Sequence, residues 1–322
     1  MSIAQTPLQN GRLITFSEKE HTYTDDLGNL YTSTTTLIHK YVKPFDTDFW
    51  AEKKAKDLGK SAEEVKQMWK DITKEACDNG NEKHNYLEDS INISTGYIKK
   101  KEVNGKFEMY TIDDILANPN LGLVDEIELI GCGLAERYPK IFEVVHYLYS
   151  VGYRFYAEVC VYSYKHLVSG AIDLLAIKFD EDFKPVDGYI LDWKTNKNKI
   201  RNVAGYYQKD NKGNYTGNFI TTKEKMLFPL NHLAHCSGST YGLQLNTYAT
   251  MCELRGFPIN RCILFHIRSK AQIALTEKRD IEGEEEVEVI KLPDMRKDVS
   301  LMFAHHYQTR LKSRDVQIKI GL

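Results

Sequence analysis

Three strand-like segments follow one another closely in the middle of the chain, and they limit the possible folds more than any other feature. Arg154 to Tyr162 alternates between two faces, whereas Gly170 to Phe179 and Gly188 to Lys194 are more continuously apolar, as central strands are. Because they occur in quick succession, we expect the three segments to share one sheet.

Helical patterns flank these segments. The apolar positions from Val124 to Ser150 fit a helix that Pro139 divides. Beyond the strands, Tyr241 to Arg255 is predicted to be helical and Arg261 to Ile267 to be a further strand. The order from 124 to 267 is then helix, three strands, helix, strand, which predicts one α/β domain.

Residues 1–120 are predicted to form β and helical additions packed on this domain. Short strands are expected at Leu13 to Phe16, His21 to Thr24 and Leu30 to Thr32, after which Ser33 caps a short helix through Tyr41.

A longer helix follows in the same N-terminal region. The capping-box pattern Ser61-Ala62-Glu63-Glu64 opens a helix that runs toward Asp89, and Gly80 is expected to kink or break it. The polar stretch 97–120 is predicted to be irregular.

Residues 121–322 are predicted to hold the core, a basic insertion and a C-terminal β/α extension. The insertion, 195–239, is expected to be irregular. In the extension, β segments are expected around Gln272 to Thr276 and Glu286 to Lys291, and a helix from Asp294 to Lys312.

Composition excludes several classes of protein. With 42% hydrophobic and 27% charged residues in a chain of 322, an ordinary globular protein is indicated. No uninterrupted apolar run exceeds four residues, whereas a spanning helix needs about 20, so no membrane span is predicted. The first residues lack a secretory signal, and a cytoplasmic location is expected. The six cysteines form no C-x-x-C pair, so no zinc site and no iron–sulfur cluster are expected.

The segment Asp192-Trp193-Lys194 ends the third strand with a carboxylate and an ammonium on one face, because residues two apart share a face. Asp173 lies on the neighbouring predicted strand and Glu158 on the strand before it. Carboxylates that converge without cysteines or a histidine cluster favour a hard cation such as Mg²⁺ or Mn²⁺.

The lysine beside the predicted cation site indicates which reaction the site could catalyse. Beside a divalent ion and a phosphate, the ammonium of Lys194 can hold and help deprotonate an attacking water, while the metal neutralises charge on the phosphoryl oxygens. Metal-assisted phosphodiester hydrolysis is the reaction class that uses all these groups.

Four sequence motifs together resemble the PD-(D/E)XK nucleases, and within them the RecB-like exonuclease branch of bacteria and phages. They are Gly80-Asn81-Glu82-Lys83-His84-Asn85-Tyr86-Leu87-Glu88, Gly170-Ala171-Ile172-Asp173, Leu191-Asp192-Trp193-Lys194-Thr195 and Gln244-Leu245-Asn246-Thr247-Tyr248. They occur in the order of that branch. The resemblance implies a central mixed sheet flanked by helices, built in the order αβββαβ.

The resemblance also implies roles for individual residues. The metal would be bound by Asp173, Asp192, His84 and the backbone carbonyl of Trp193, with Glu158 as the carboxylate of the preceding strand. Lys194 would orient the water.

A second pair of roles concerns the helix after the strands. Gln244 and Tyr248, one helical turn apart, would contact the DNA backbone or buttress the active site. The cysteines that hold an iron–sulfur cluster in some members of the branch are missing from this chain.

Each of these residues has a plainer interpretation. An Asp-x-Lys sequence on a strand end is usually a surface ion pair. His84 could be a helix histidine beside Glu88, Glu158 could face solvent at a sheet edge, and a helical tyrosine usually packs. We favour the nuclease interpretation because the motifs occur together.

The segment after Lys194 is the most basic part of a chain whose net charge is −2. Between Lys194 and Lys225, eight basic residues stand against two acidic ones, with four aromatic residues interleaved. Lys197, Lys199 and Arg201 could belong to a mobile arm that grips DNA phosphates and stacks unpaired bases, or to a solvated insertion.

The sequence thus predicts a Mg²⁺- or Mn²⁺-dependent DNA nuclease. Exonuclease action on DNA ends or single strands, in bacterial or phage recombination and repair, is what the resemblance implies. The alternatives are an endonuclease that cuts flapped or branched DNA and a DNA-binding module that keeps the fold without cleaving. Metal-dependent release of nucleotides from labelled DNA discriminates between cleaving and non-cleaving proteins.

Overall fold

The computed structural model describes residues 14–17, 22–96, 100–103, 106–109 and 111–319. Leu13 and His21, the first residues of two predicted strands, lie outside this part of the chain. The fold is α/β, with a mixed central sheet flanked by helices.

Five strands form the centre of the sheet, and three of them are the predicted consecutive ones. They are β6 Tyr153–Ser163, β7 Val168–Phe179, β8 Pro185–Lys194, β11 Arg261–Ser269 and β12 Glu285–Lys291. The first three pair antiparallel in sequence order. β11 then joins β8 in parallel, and β12 pairs antiparallel with β11 at the edge. The parallel β8–β11 step is made possible by the helix between these two strands.

Helices cover both faces of this sheet. Leu243 and Leu245 of α8 (Ser237–Glu253) pack in one core with Ile172 and Ile190, together with α1 (Thr34–His39) and α10 (Arg296–Lys319). The opposite core joins the alternate strand residues to four helices: α3 Ala62–Thr95, α5 Glu126–Gly131, α6 Leu134–Arg137 and α7 Pro139–Ser150. Pro139 begins α7, where its missing N–H has no helical partner to lose.

The N-terminal residues extend the same sheet. They form β1 Thr15–Ser17, β2 Thr22–Thr24, β3 Leu30–Ser33, β4 Lys100–Val103 and β5 Lys106–Met109. β3 pairs in parallel with the start of β7, and β5 pairs with β1. The prediction of an irregular 97–120 was therefore wrong. Besides β4 and β5, which pair with each other, the stretch holds α4 Ile112–Ala117 and a 3₁₀ turn at Pro119–Gly122. The second partner of β5, β1, is distant in sequence.

Serine caps define the N-terminal helices as predicted. Ser33 Oγ accepts a hydrogen bond of 3.2 Å from the backbone N of Thr36 at the start of α1, Thr34–His39. Ser61 and Glu64 form a reciprocal capping box at the start of α3, Ala62–Thr95. α2, Thr47–Leu58, lies between these two helices.

Gly80 neither kinks nor ends α3, so the expected break is wrong. The helix runs without interruption through this position. A Cβ atom at Gly80 would lie 3.1 Å from Thr195 Oγ1, just after β8. Glycine here serves close approach of the helix to the end of β8, a contact that helical propensity does not encode.

Two other expectations about the second half were also wrong. The insertion 195–239 contains an antiparallel pair, β9 Gly205–Lys209 and β10 Tyr215–Thr221. Gln272 to Thr276 lies in a helix, α9 Lys270–Glu277, because Ser269 and Gln272 form a capping box. The strand over Glu286 to Lys291 and the final helix are confirmed. Within the described residues, every helix is too short or too polar to span a bilayer.

Candidate active site

The side chains of Asp192 and Lys194 meet at the carboxyl end of β8. The Nζ atom of Lys194 lies 2.5 Å from Oδ2 of Asp192. Trp193, between them, points to the other face and packs in the core beside α3. Asp192 is only 1% exposed and the Lys194 side chain 17%. A surface ion pair at a strand end is therefore not what this motif forms.

Asp173 lies beside Asp192 on the adjacent strand. The pairing of Leu174 with Leu191 continues one step to bring these two aspartates opposite each other. Asp173 Oδ2 accepts a hydrogen bond of 3.1 Å from the backbone N of Trp193. Two carboxylates and one ammonium thus share a buried site.

His84 reaches the same site from α3. Its Nδ1 atom lies 3.7 Å from Oδ2 of Asp173, and its ring meets the Trp193 ring edge-on with centroids 6.1 Å apart. Burial, followed by the charge of Lys194, lowers the pKa of His84 to about 4. The imidazole is neutral at pH 7 and keeps a lone pair that a metal could use.

Glu158 lies one strand beyond Asp173, at an irregular point of β6. The β6–β7 register places Glu158 opposite Asp173, but these two residues are not themselves paired, although the residues on either side of them are. The backbone φ of Glu158 is +51°, in the left-handed region that non-glycine residues rarely adopt. Backbone strain of this kind occurs at functional sites. The residue is half-buried, so it does not simply face solvent at an edge.

The charges of this site are incompletely balanced. Burial, and then the neighbouring charge of Asp173, raise the pKa of Asp192 above its usual range. Burial opposes the charge of Lys194, but the two aspartates outweigh it and raise the pKa of the lysine. With His84 neutral, two carboxylates face one ammonium, and a cation would compensate the remaining negative charge.

The donor set can be tested against a metal. Apart from the ion pair with Lys194, neither carboxylate oxygen of Asp192 has a hydrogen-bond partner among the described residues. Buried oxygens without donors suit a hard cation. In the arrangement described, however, these parts of the chain contain no set of three or more His, Cys, Asp or Glu side chains close enough to hold an ion.

Gln244 and Tyr248 lie behind the site, inside the protein. Gln244 Nε2 donates a hydrogen bond of 3.0 Å to the Tyr248 hydroxyl, and both residues are buried. A Cβ atom at Gly170 would lie 2.4 Å from the Tyr248 ring, so glycine at this position admits the tyrosine. This placement fits a buttressing role and gives neither side chain a surface for the DNA backbone.

The three basic residues after the motif contact other parts of the protein. Lys197 Nζ lies 5.0 Å from the centre of the Tyr215 ring, and Lys199 Nζ lies 3.5 Å from a Glu288 carboxylate oxygen. The Arg201 guanidinium lies 4.2 Å from the centre of the Phe219 ring. The segment is thus a folded hairpin whose aromatic rings already contact its own cations, which differs from the mobile arm considered above.

Two residues next to Lys194 were missed by sequence reasoning. Tyr241, one turn before Gln244 on α8, places its ring 5.6 Å from Lys194 Nζ. His266 is fully buried on β11, opposite Lys194 in the parallel register, and its Nε2 lies 2.8 Å from the carbonyl oxygen of Asn196. The sequence placed His266 near the end of a predicted strand, but only the register between β8 and β11 places it opposite Lys194.

Comparison of the chain with protein-family models, curated proteins and solved structures finds no match. The site's own chemistry is therefore the guide to function. It consists of a buried aspartate in contact with a lysine, a second aspartate on the adjacent strand and a neutral histidine from α3.

Proposed function

We propose that this chain is a DNA nuclease that depends on Mg²⁺ or Mn²⁺ and has a PD-(D/E)XK-type core. The observation that carries the proposal is the contact between Asp192 and Lys194 in a buried site that also holds Asp173. A buried, undercompensated carboxylate is costly to folding, and such costs are concentrated at functional sites. The order α7, β6, β7, β8, α8, β11 supports the proposal because it is the order that the resemblance implies.

The metal-binding residues in this proposal are those that fit a hard cation. Asp173 and Asp192 would supply carboxylate oxygens, the backbone of Trp193 a carbonyl, and His84 a neutral nitrogen. Glu158, opposite Asp173, would complete the set. A bound divalent ion would neutralise the charge that develops on the phosphoryl oxygens.

The protein's own groups would position the water and the phosphate. Because its pKa is raised, Lys194 stays protonated at neutral pH and acts as a hydrogen-bond donor to the attacking water or to a phosphoryl oxygen. A protonated lysine cannot accept the proton of the water, so Lys194 would orient the water and would not deprotonate it. The Tyr241 ring lies 5.6 Å from Lys194 Nζ, and Tyr248 packs in the core behind the strands.

Exonuclease action, in the recombination or repair of bacterial or phage DNA, is proposed from the motifs shared with the RecB-like branch. The products distinguish digestion from an end from cleavage at a flap, since an exonuclease releases mononucleotides or short pieces progressively from an end.

A single assay tests the proposed function. Purified protein is incubated with end-labelled single-stranded and duplex DNA in the presence of Mg²⁺, Mn²⁺ or a chelator, and the products are resolved by size. We expect cleavage with either metal and none with the chelator. Intact DNA in every reaction, from protein whose circular dichroism is that of a folded α/β chain, would refute the nuclease assignment.

A further inference from the structure

Four aromatic side chains form a continuous surface cluster beside α2 and the first turns of α3. Phe45, Phe49 and Trp50 are 64%, 55% and 43% exposed. The Phe45 and Trp50 rings are stacked with planes 8° apart, and the Phe45 ring meets the Trp69 ring edge-on at 6.0 Å. Exposed aromatic residues are common singly, but a contiguous patch marks a binding surface.

Phe45 and Trp69 of this cluster line a groove, which we call the α2–α3 groove. Three lysines of α3, Lys66, Lys70 and Lys74, line it together with two threonines. Their spacing of four residues puts successive lysines about 6 Å apart along the helix axis. Lys66 is paired with Asp48 at 2.7 Å, whereas no carboxylate among the described residues pairs with Lys70 or Lys74.

Charges are sorted around this part of α3. At about 100° per residue, the lysines and Trp69 fall on the side that borders the groove. Among the acidic residues of the same turns, Glu64, Asp71 and Glu75 fall about 100° or more from Lys70, whereas Glu63 lies on the lysine side and pairs with Lys66 at 2.8 Å. The unpaired charges that this part of α3 presents to the groove are therefore those of Lys70 and Lys74.

The combination of flat rings and unpaired lysines fits unpaired nucleotides. Aromatic rings stack on bases, and lysines between them bind phosphates. A duplex hides the faces of its bases, so stacking requires a single strand. A protein partner fits less well, because lysine is depleted from the centres of protein interfaces and here the lysines line the groove itself.

We propose that the α2–α3 groove binds an unpaired segment of the DNA on which the carboxylate site acts. This inference rests on the proposed function and adds that the substrate has a single-stranded part. Lys70 and His84 belong to one continuous helix and lie about 21 Å apart along its axis. α3 thus fixes the distance between the groove and the site of cleavage.

Binding of DNA by the full-length chain tests this proposal without cleavage. The Asp192→Asn background prevents digestion, and fluorescence anisotropy gives the Kd for labelled oligothymidylate and for a duplex. Phe45→Ala is expected to weaken binding of the single strand at least about fivefold, the lower limit for one base–ring stack, and to leave duplex binding unchanged. Ile72→Ala, also at an exposed position (60%) but outside the groove, is the matched control and is expected to change neither.

The lysines are tested through salt dependence. If Lys70 and Lys74 each contact one phosphate, replacing both with Gln reduces the slope of log Kd on log salt by about 1.4 for a single strand. The control pair, Lys54→Gln with Lys56→Gln on α2, removes the same charge outside the groove lining and is expected to leave the slope unchanged. Equal melting temperatures of all variants exclude unfolding as the cause.

The outcomes separate this proposal from the proposed function. Unchanged single-strand affinity in Phe45→Ala, or no single-strand binding by the parent chain, overturns the groove proposal even if the protein cleaves DNA, and the first result would point to a protein partner. Selective loss of single-strand binding in Phe45→Ala supports it. A protein that binds single strands through the groove but never cleaves with Mg²⁺ or Mn²⁺ overturns the nuclease assignment alone.

Discussion

Two charge clusters lie on the same sheet, and the pKa values of their carboxylates are shifted in opposite directions. Around Arg268, which is 1% exposed, the charges are matched: it lies 2.5 Å from Glu277 and 3.4 Å from Glu286, and Arg279 donates two hydrogen bonds to Glu286. Burial of Glu277 is outweighed by the bond from Arg268, and its pKa is lowered. The pKa of Glu286 is lowered chiefly by the bonds from Arg279.

At Asp192 the balance is reversed. Burial and the adjacent Asp173 raise the pKa of Asp192, and Lys194 compensates only in part. The Asp192 side chain is also the more deeply buried, at 1% exposed against 14% for Glu277 and 27% for Glu286, so depth and the supply of donors act together. The comparison teaches that a structural carboxylate has enough donors to stay ionised easily, whereas the candidate catalytic carboxylate is left short of them.

The largest effect is expected from a substitution at Asp192, the carboxylate that is short of donors. Asp192→Asn is expected to reduce DNA cleavage by about 10²- to 10³-fold or more, because the amide cannot provide the charge that the reaction uses. The control is Asp187→Asn at the other end of β8, where Asp187 accepts a 2.5 Å hydrogen bond from Tyr153. Initial rates on end-labelled DNA are measured for both. Equal losses in the two variants would show that the site was misassigned.

The next effect concerns the matched cluster. Arg268→Met removes the buried partner of Glu277 and Glu286, while Arg279 stays paired with both, and is expected to lower the free energy of unfolding by about 1–3 kcal/mol. Arg279→Met removes a 42% exposed side chain from the same cluster and is expected to cost about 1 kcal/mol or less. Urea denaturation followed by circular dichroism gives both values. If Arg268→Met proves as mild as Arg279→Met, the cluster around Arg268 is not structural.

The smallest effect on stability is expected when the charges of Asp192 and Lys194 are both removed. Replacing both members of the buried pair with apolar residues, Asp192→Leu with Lys194→Met, is expected to raise the free energy of unfolding by about 1 kcal/mol while abolishing cleavage. The reason is that the charges cost desolvation that their mutual attraction does not fully offset. Urea denaturation of the double variant beside the parent chain decides it, and a lower stability would mean that this pair is structural as well.

Much of the local structure follows from the sequence. The three consecutive strands, the caps at Ser33 and Ser61 and the division at Pro139 were all predictable. Each depends on side-chain periodicity or on a hydrogen bond within a few residues, which are present in the chain before it folds. The proximity of Asp192 and Lys194 belongs to the same class, because alternation along a strand sets it.

Several failures share one physical origin, whereas the helix at Gln272 to Thr276 begins at a local capping box that the sequence already contains. Gly80 is read from sequence as a helix breaker, yet its contact is Thr195, more than a hundred residues away. The irregular segments proved to contain strands whose partners or supports come from elsewhere, as when the Tyr207 hydroxyl donates to Glu277 of α9. Propensity cannot supply such partners.

The sequence by itself determined the order of the three central strands, the helix after them and β11, the caps at Ser33 and Ser61, and which charged residues of β8 share a face. The tertiary structure decided how deeply Asp192 is buried, that His84 of α3 lies neutral beside Asp173, and that Tyr241 and His266 border Lys194. Periodicity and capping are fixed by neighbours along the chain. Burial, charge balance and pKa instead depend on groups that only the packing of α3, α8 and β11 around β8 brings together.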